Sequence, residues 1–365
     1  MRDDVRTVAF TCWYATWSAV LPRSGVRRPR KVVAAVLALV VVAAAGCTGA
    51  PTEDDRGDEK PPEQVEGPFR AFTPDSWWNL PVPDDAPDHP REEQILEYMQ
   101  TAEEAGDGCL RLAGARDNVW GQPVYWAEPD DPAYEIEVDL LDDTGGLRPV
   151  RIPRGARPAP SNDREMTVFD LERGHAVALT EAVYDEETDT WSASGATITY
   201  LDSNGLHVRT GRASDPRNIG SHRGNNAAVL MARIDEVTAG RIDHVLKVAS
   251  GPEVSTRHVF PMVGSDGHSR HRDAPPQGLR LRLRPSLDLD ALGLQPQALV
   301  IARAMQSHGI YIGDSAGATA LKLEDTRTEG RGQLWEVSET ALCGLPLSTR
   351  FWDVLPAGYE PPPPG

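Results

Sequence analysis

Apolar residues in this chain fall into short alternating runs more often than into helical ones. Tyr134, Ile136, Val138 and Leu140 alternate with Glu135, Glu137 and Asp139, which predicts a strand with one apolar and one acidic face. Residues 166–170 and 175–184 flank the turn 171–174 and predict a hairpin, and 190–201 continues the meander after an acidic turn. Leu279, Leu281 and Leu283 alternate with Arg280, Arg282 and Arg284, the cleanest strand signal in the chain. Helical spacing is confined to three places. Residues 90–105 carry Ile95, Leu96, Met99 and Ala102 on one face, with Asp88 as cap and Gly106 as stop. Residues 296–308 open on Pro296 and close at Gly309, and a short helical turn covers 235–239. Many strands with two or three peripheral helices predict a mainly β fold, a β-sandwich or jelly roll, rather than alternating β/α units.

One run breaks this pattern. Residues 32–47, VVAAVLALVVVAAAGC, follow the basic stretch 27–31. A positive start, an apolar middle and small residues before a cysteine predict a secretory signal peptide. The run is shorter than the roughly 20 apolar residues a membrane span needs. Its end, Ala44-Ala45-Gly46-Cys47, resembles the lipobox of bacterial lipoproteins. That resemblance implies removal of 1–46 and acylation of Cys47, with the lipid bilayer as partner through a palmitate-type chain and an extracytoplasmic, membrane-anchored location. Residues 1–25, with Asp3 and Asp4, suit no leader, so translation is expected to start near Val26. Residues 47–68 are acidic and nearly free of large apolar side chains, and predict a disordered tether. A single β-rich domain is expected over 69–358, with a proline-rich tail at 359–365.

Charge narrows the partners. Taking the leader's seven basic and two acidic residues from totals of 37 and 55 leaves 30 against 53, a formal charge of −23. So acidic a protein is repelled by nucleic acid, which is excluded as a partner. Beyond the leader and Cys47, two cysteines remain, Cys109 and Cys343, and an oxidising compartment predicts a disulfide between them. Only three lysines follow the leader, Lys60, Lys247 and Lys322, a scarcity ascribed to the arginine-rich codons of a GC-rich genome.

Four features bear on chemistry. Gly313-Asp314-Ser315-Ala316-Gly317 spells G-x-S-x-G, but no histidine follows it to complete a hydrolase triad, and a small-residue turn is expected instead. His258, His268 and His271 lie near Asp266 and Asp273, but the interleaved arginines repel a cation; no metal and no cofactor are expected. His244 shares a strand face with Ile242, Leu246 and Val248, as a general acid or base facing a cleft or as a core histidine bonded to backbone. Trp77, Trp78, Asn79, Trp120, Tyr125 and Trp126 offer flat rings and an amide for sugars, against plain packing. Arg280, Arg282 and Arg284 either pair with carboxylates of a neighbouring strand or line a groove for anionic sugars.

The phrases FTPDSWWN, RIDHVL, PPQGLRLRL and HGIYIGD together resemble a group of secreted, β-rich bacterial proteins of unassigned function, some joined to carbohydrate-binding modules. The resemblance spans most of 70–315 and implies a site near Asp75, Trp78, Asn79, His244, Arg280 and Asp314. The combined expectation is an envelope lipoprotein that acts on or binds a glycan, as a glycoside hydrolase or polysaccharide lyase. His244, Asp314 and Asp163 are the expected catalytic residues, and Trp78, Asn79 and Arg280 the expected substrate contacts. The alternative is a non-catalytic glycan-binding or scaffold lipoprotein.

Overall fold

The computed structural model describes residues 68–102, 107–140, 149–220, 224–225, 229–251 and 254–363. The leader, Cys47 and the tether lie outside the described residues. Among the described residues, mainly β structure is accompanied by three helices: α1 (Glu92–Thr101), α2 (Ile234–Ala239) and α3 (Pro296–Ser307). Asp88 does not cap α1, whose N-cap is Arg91. Numbering strands in chain order, a six-stranded sheet runs β1 (Arg111–Ala113), β14 (Ala320–Lys322), β11 (Leu246–Ser250), β13 (Ile310–Ser315), β12 (Arg280–Leu283), β15 (Trp352–Val354). A seven-stranded sheet runs β10 (Ile219–Gly220), β9 (Thr190–Tyr200), β7 (His175–Thr180), β6 (Met166–Asp170), β2 (Val124–Trp126), with β4 (Ile136–Leu140) and β8 (Val183–Asp185) also paired to β9. A small ribbon joins β3 (Ala133–Tyr134) and β5 (Val150–Arg151).

The hairpin at β6 and β7 and the meander into β9 pair antiparallel, as the alternation predicts. Pairing elsewhere is mixed: β1 runs parallel to β14, β11 to β13, β2 to β6 and β4 to β9. Parallel neighbours need both faces covered, and the core is built that way. Leu112, Leu246, Val248, Leu281, Ile310, Ile312 and Leu321 turn one face of the six-stranded sheet toward Ile95, Met99, Ile301 and Met305 of the helices. The other face shares a second core with the seven-stranded sheet, through Val245 and Tyr311 on one side and Val124, Phe169 and Ala176 on the other. Met166, Val168, Val177, Leu179 and Trp191 fill a third core behind that sheet.

An N-terminal strap, residues 69–84, crosses over β12 and is held by its arginines. Arg280 donates to Leu80 O at 2.7 Å and His308 O at 2.9 Å, with its guanidinium 4.6 Å from the Trp77 ring. Arg282 donates to Asp84 O at 3.0 Å and pairs with Asp353 on β15 at 3.1 Å, and Arg284 meets the same carboxylate at 3.0 Å. Cys109 and Cys343 are joined, with their Cα atoms 4.5 Å apart, so the start of the fold is tied to its end. Packing continues past the expected boundary at 358: the Tyr359 carbonyl accepts from Trp77 Nε1 at 2.8 Å and Glu360 pairs with Arg212. No described helix is long and apolar enough to cross a membrane.

Candidate functional site

On the face of the six-stranded sheet that turns away from the helices, β1, β14, β11 and β13 alternate charge with small side chains. Arg111 and Ala113, Ala320 and Lys322, Lys247 and Ala249, then Asp314, all point to one side and line a cavity of about 510 Å³. Their intervening neighbours Leu112, Leu321 and Val248 are buried among the helices. Three alanine methyls make the floor, so space remains where larger side chains would close the sheet against its surroundings. Segment 316–318 and Ser315 form one wall, Asp163 another, and Glu339, Asn118 and Trp120 complete the lining.

A β-bulge aims Asp314 into this cavity. Val248 lies opposite Ile312, but Ala249 lies opposite Asp314, so Gly313 is the extra residue in β13. Without that insertion Asp314 would fall on the helix side of the sheet, since strand side chains alternate and one extra residue inverts the order. Only glycine fits there: a Cβ at Gly313 would come within 2.7 Å of Lys247 Cγ and 2.9 Å of Tyr311 Cε2. The G-x-S-x-G run is thus the end of a bulged strand and the turn after it. Ser315 Oγ donates to Asp266 Oδ2 at 2.9 Å, a carboxylate and not an imidazole.

The charges are arranged in pairs. Lys247 Nζ donates to Asp314 Oδ2 at 2.9 Å, with the lysine side chain 6% exposed and the aspartate 23%. Lys322 Nζ is in contact with the Glu165 carboxylate, which enters from the segment before β6. Burial pushes the Lys322 ammonium down to about 8, against the opposing pull of the Asp163 charge. Arg111 holds Asp107 through two hydrogen bonds of 2.6 and 3.1 Å, which lowers that carboxyl to about 2, and lies 3.8 Å from Glu339. At the rim the turn 114–121 closes tightly because a Cβ on Gly114 would lie 2.7 Å from Gly121 Cα. Asn118 Oδ1 accepts from the Gly114 and Trp120 amides at 2.9 Å each, and fixes an indole that stays 42% exposed.

The expected site residues divide. Asp163 and Asp314 meet at the cavity. His244, Trp78, Asn79 and Arg280 do not line it. His244 is 2% exposed, with Nε2 2.8 Å from Glu236 Oε1 and Nδ1 2.9 Å from Val245 O. Both ring nitrogens therefore face acceptors inside the core. Burial alone would raise the Glu236 carboxyl, but the charges of His244 and Arg233, the latter 3.0 Å away, hold it below its ordinary value. Trp78 and Asn79 are buried in the strap, where Asn79 Nδ2 donates to Ala71 O at 2.7 Å and Thr73 O at 3.0 Å. Arg280 is spent on backbone carbonyls, and Arg282 and Arg284 on Asp353, the carboxylate-pairing alternative. In the histidine-rich loop, His271 stacks on Tyr98 at 4.9 Å. Among the described residues Asp88, Glu92 and Asp353 lie within metal-ligand reach of one another, but Arg282 and Arg284 already compensate Asp353.

Sequence reasoning missed Lys247, Lys322, Arg111 and Glu165. The signal was present: in a chain that uses arginine for its buried ion pairs, both lysines after residue 60 line one cavity. No protein-family model matches the chain, and neither does any curated protein or solved structure.

Proposed function

We propose that the cavity binds a glycan unit, in an extracytoplasmic protein held to a membrane through acylated Cys47. The observation that carries this reading is Trp120, a half-exposed indole on a rigid turn, beside a recess whose other polar groups are carboxylates, amines, a guanidinium, a hydroxyl and an amide. A sugar ring has an apolar face that stacks on an indole and a rim of hydroxyls that needs convergent donors and acceptors. Asp163, Asp314, Lys247 and Asn118 supply both. A recess of this volume holds one or two sugar rings. The disulfide supports residence in an oxidising compartment.

A second reading, glycan cleavage, is favoured by Asp163 and Asp314 lining one cavity from different elements, because glycoside hydrolysis uses two carboxylates that flank the bond. One titration separates the two. Purified full-length protein is presented with neutral and acidic oligosaccharides while tryptophan fluorescence and new reducing ends are followed. Binding that is lost in Trp120→Ala supports the binding site. Release of reducing ends that is abolished in Asp163→Asn and Asp314→Asn supports cleavage. No saccharide response in the parent protein overturns both. Anchoring is checked separately by labelling with a palmitate analogue, where equal incorporation into the parent and Cys47→Ala chains rejects the lipid anchor.

A further inference from the structure

The cavity holds two amines where the chain's habit would have placed guanidinium groups. Buried cations elsewhere are arginines: Arg233 with Glu236, Arg280 with carbonyls, Arg282 with Asp353. Arginine keeps its proton in a protein and does not act as a nucleophile, whereas lysine releases a proton when its ammonium is desolvated. A lysine retained at a cavity wall in such a chain can do chemistry that its alternative cannot.

Lys247 and Lys322 are not equivalent. Lys247 lies deeper, and its ammonium is fixed by a 2.9 Å hydrogen bond to Asp314. Lys322 has a side chain 20% exposed on the neighbouring strand of the same face, at the β14 position paired with Ala113, so no bulk stands beside it on β1. The charged groups that line the space around it are Arg111, Lys247, Asp163, Asp314 and Glu339, with Glu165 against its Nζ. Burial opposes a positive charge on this nitrogen, the Asp163 carboxylate favours it, and Glu165 can carry a proton to and from it.

We propose that Lys322 is an amine nucleophile that forms an imine with a small aldehyde or ketone entering the cavity, an open-chain reducing sugar included. The neutral nitrogen's lone pair attacks the carbonyl carbon, and the C=O π pair moves to oxygen. Glu165 takes one N–H proton from the resulting ammonium and delivers it to the alkoxide, which gives the neutral carbinolamine. Glu165, protonated from solvent, then gives its proton to the hydroxyl, water leaves as the nitrogen lone pair closes the C=N bond, and the iminium N–H proton returns through Glu165 to solvent, so amine and carbonyl give imine and water. The assignment goes beyond saccharide binding and stands without it, since any small carbonyl compound serves.

The test uses glycolaldehyde as probe and cyanoborohydride to reduce the imine to a stable secondary amine, followed by site-resolved peptide mass mapping of the full chain. At about pH 7.5 an amine titrating near 8 is about a quarter neutral, against about one part in a thousand for an ordinary lysine. Its lower basicity offsets part of that advantage, so Lys322 is expected to gain the hydroxyethyl group at least ~10-fold faster than Lys60. Its labelling should be half-maximal near pH 8, and Lys322→Arg should abolish the fast phase. Equal rates at Lys60 and Lys322, or preferential labelling of Lys247, overturn the proposal. Because the parent chain is mapped residue by residue, the result holds even if Lys322→Arg fails to fold. Binding of non-reducing saccharides in the titration above is unaffected by either outcome.

Discussion

Glutamine at position 329 should make the protein more stable at alkaline pH and less stable at acidic pH. Glu329 and Glu324 both lean on Arg331, at 3.0 Å and 2.5 Å, and each carboxylate side chain is only 3% exposed. Glu329 Oε1 also accepts from the Val124 amide at 2.8 Å, and Glu324 Oε2 from the Ile234 amide at 2.6 Å. One guanidinium for two buried acids is too little. Burial first, and the Glu324 charge second, raise the Glu329 carboxyl from 4.5 to about 8. In the unfolded chain it ionises near 4.5, so between there and pH 8 the folded state binds one more proton than the unfolded state. Stability then falls as pH rises, by about 1.4 kcal/mol for each pH unit, and the loss is complete above pH 8. Below about pH 4.5 both states are protonated and the contribution is fully present. Across the window the total is on the order of 3–5 kcal/mol. Glu329→Gln removes this slope. It keeps an acceptor for Val124 and gives up one hydrogen bond to Arg331, a pH-independent cost of about 1 kcal/mol. Urea denaturation of both proteins, followed by tryptophan fluorescence from pH 5 to 9, measures the difference. The variant should be weaker by about 1 kcal/mol at pH 5 and stronger by about 2 kcal/mol or more at pH 8.5. A difference between the two proteins that stays constant across this range, with equal denaturant slopes, would refute the reasoning.

Three further outcomes follow from the packing. His244→Ala should cost about 3–5 kcal/mol by removing a hydrogen-bond partner from the buried Glu236 carboxylate, read as a lower melting temperature. A variant that melts normally yet loses activity would instead give His244 a chemical role. Reduction of the Cys109–Cys343 bond, which closes a sequence separation of 234, should cost about 2–5 kcal/mol, measured by calorimetry with and without reductant. Gly313→Ala should cost about 1–3 kcal/mol, because its Cβ meets Lys247 and Tyr311. It should also weaken ligand binding more than a cavity-remote change of equal cost, since the bulge that aims Asp314 is disturbed.

Strand content was legible where charges alternate with apolar residues, as at 136–140 and 280–283, and where a turn separates two apolar runs, as at 166–180. Pro296 at the helix start and Gly309 after its end placed α3 almost to the residue. Parallel pairing was not legible, because β1, β2 and β14 are three residues long and alternation over so few positions does not report direction. The site was half visible. Asp163 and Asp314 were among the expected catalytic residues, but their convergence depends on the Gly313 bulge, which shifts the period of two by one. His244, Trp78, Asn79 and Arg280 drew attention as polar groups amid apolar neighbours, a pattern that a fully bonded core network produces equally well. Scarcity of lysine, set aside as codon usage, pointed at the cavity once position was known.

Because three methyl groups on three separate strands set the depth of the recess, its capacity is decoupled from the scaffold. Exchanging Ala113, Ala249 or Ala320 for valine trims room for a guest while the leucines on the reverse side keep their grip on the helices. Descendants of this chain can therefore change what they hold by single substitutions, and leave the architecture intact.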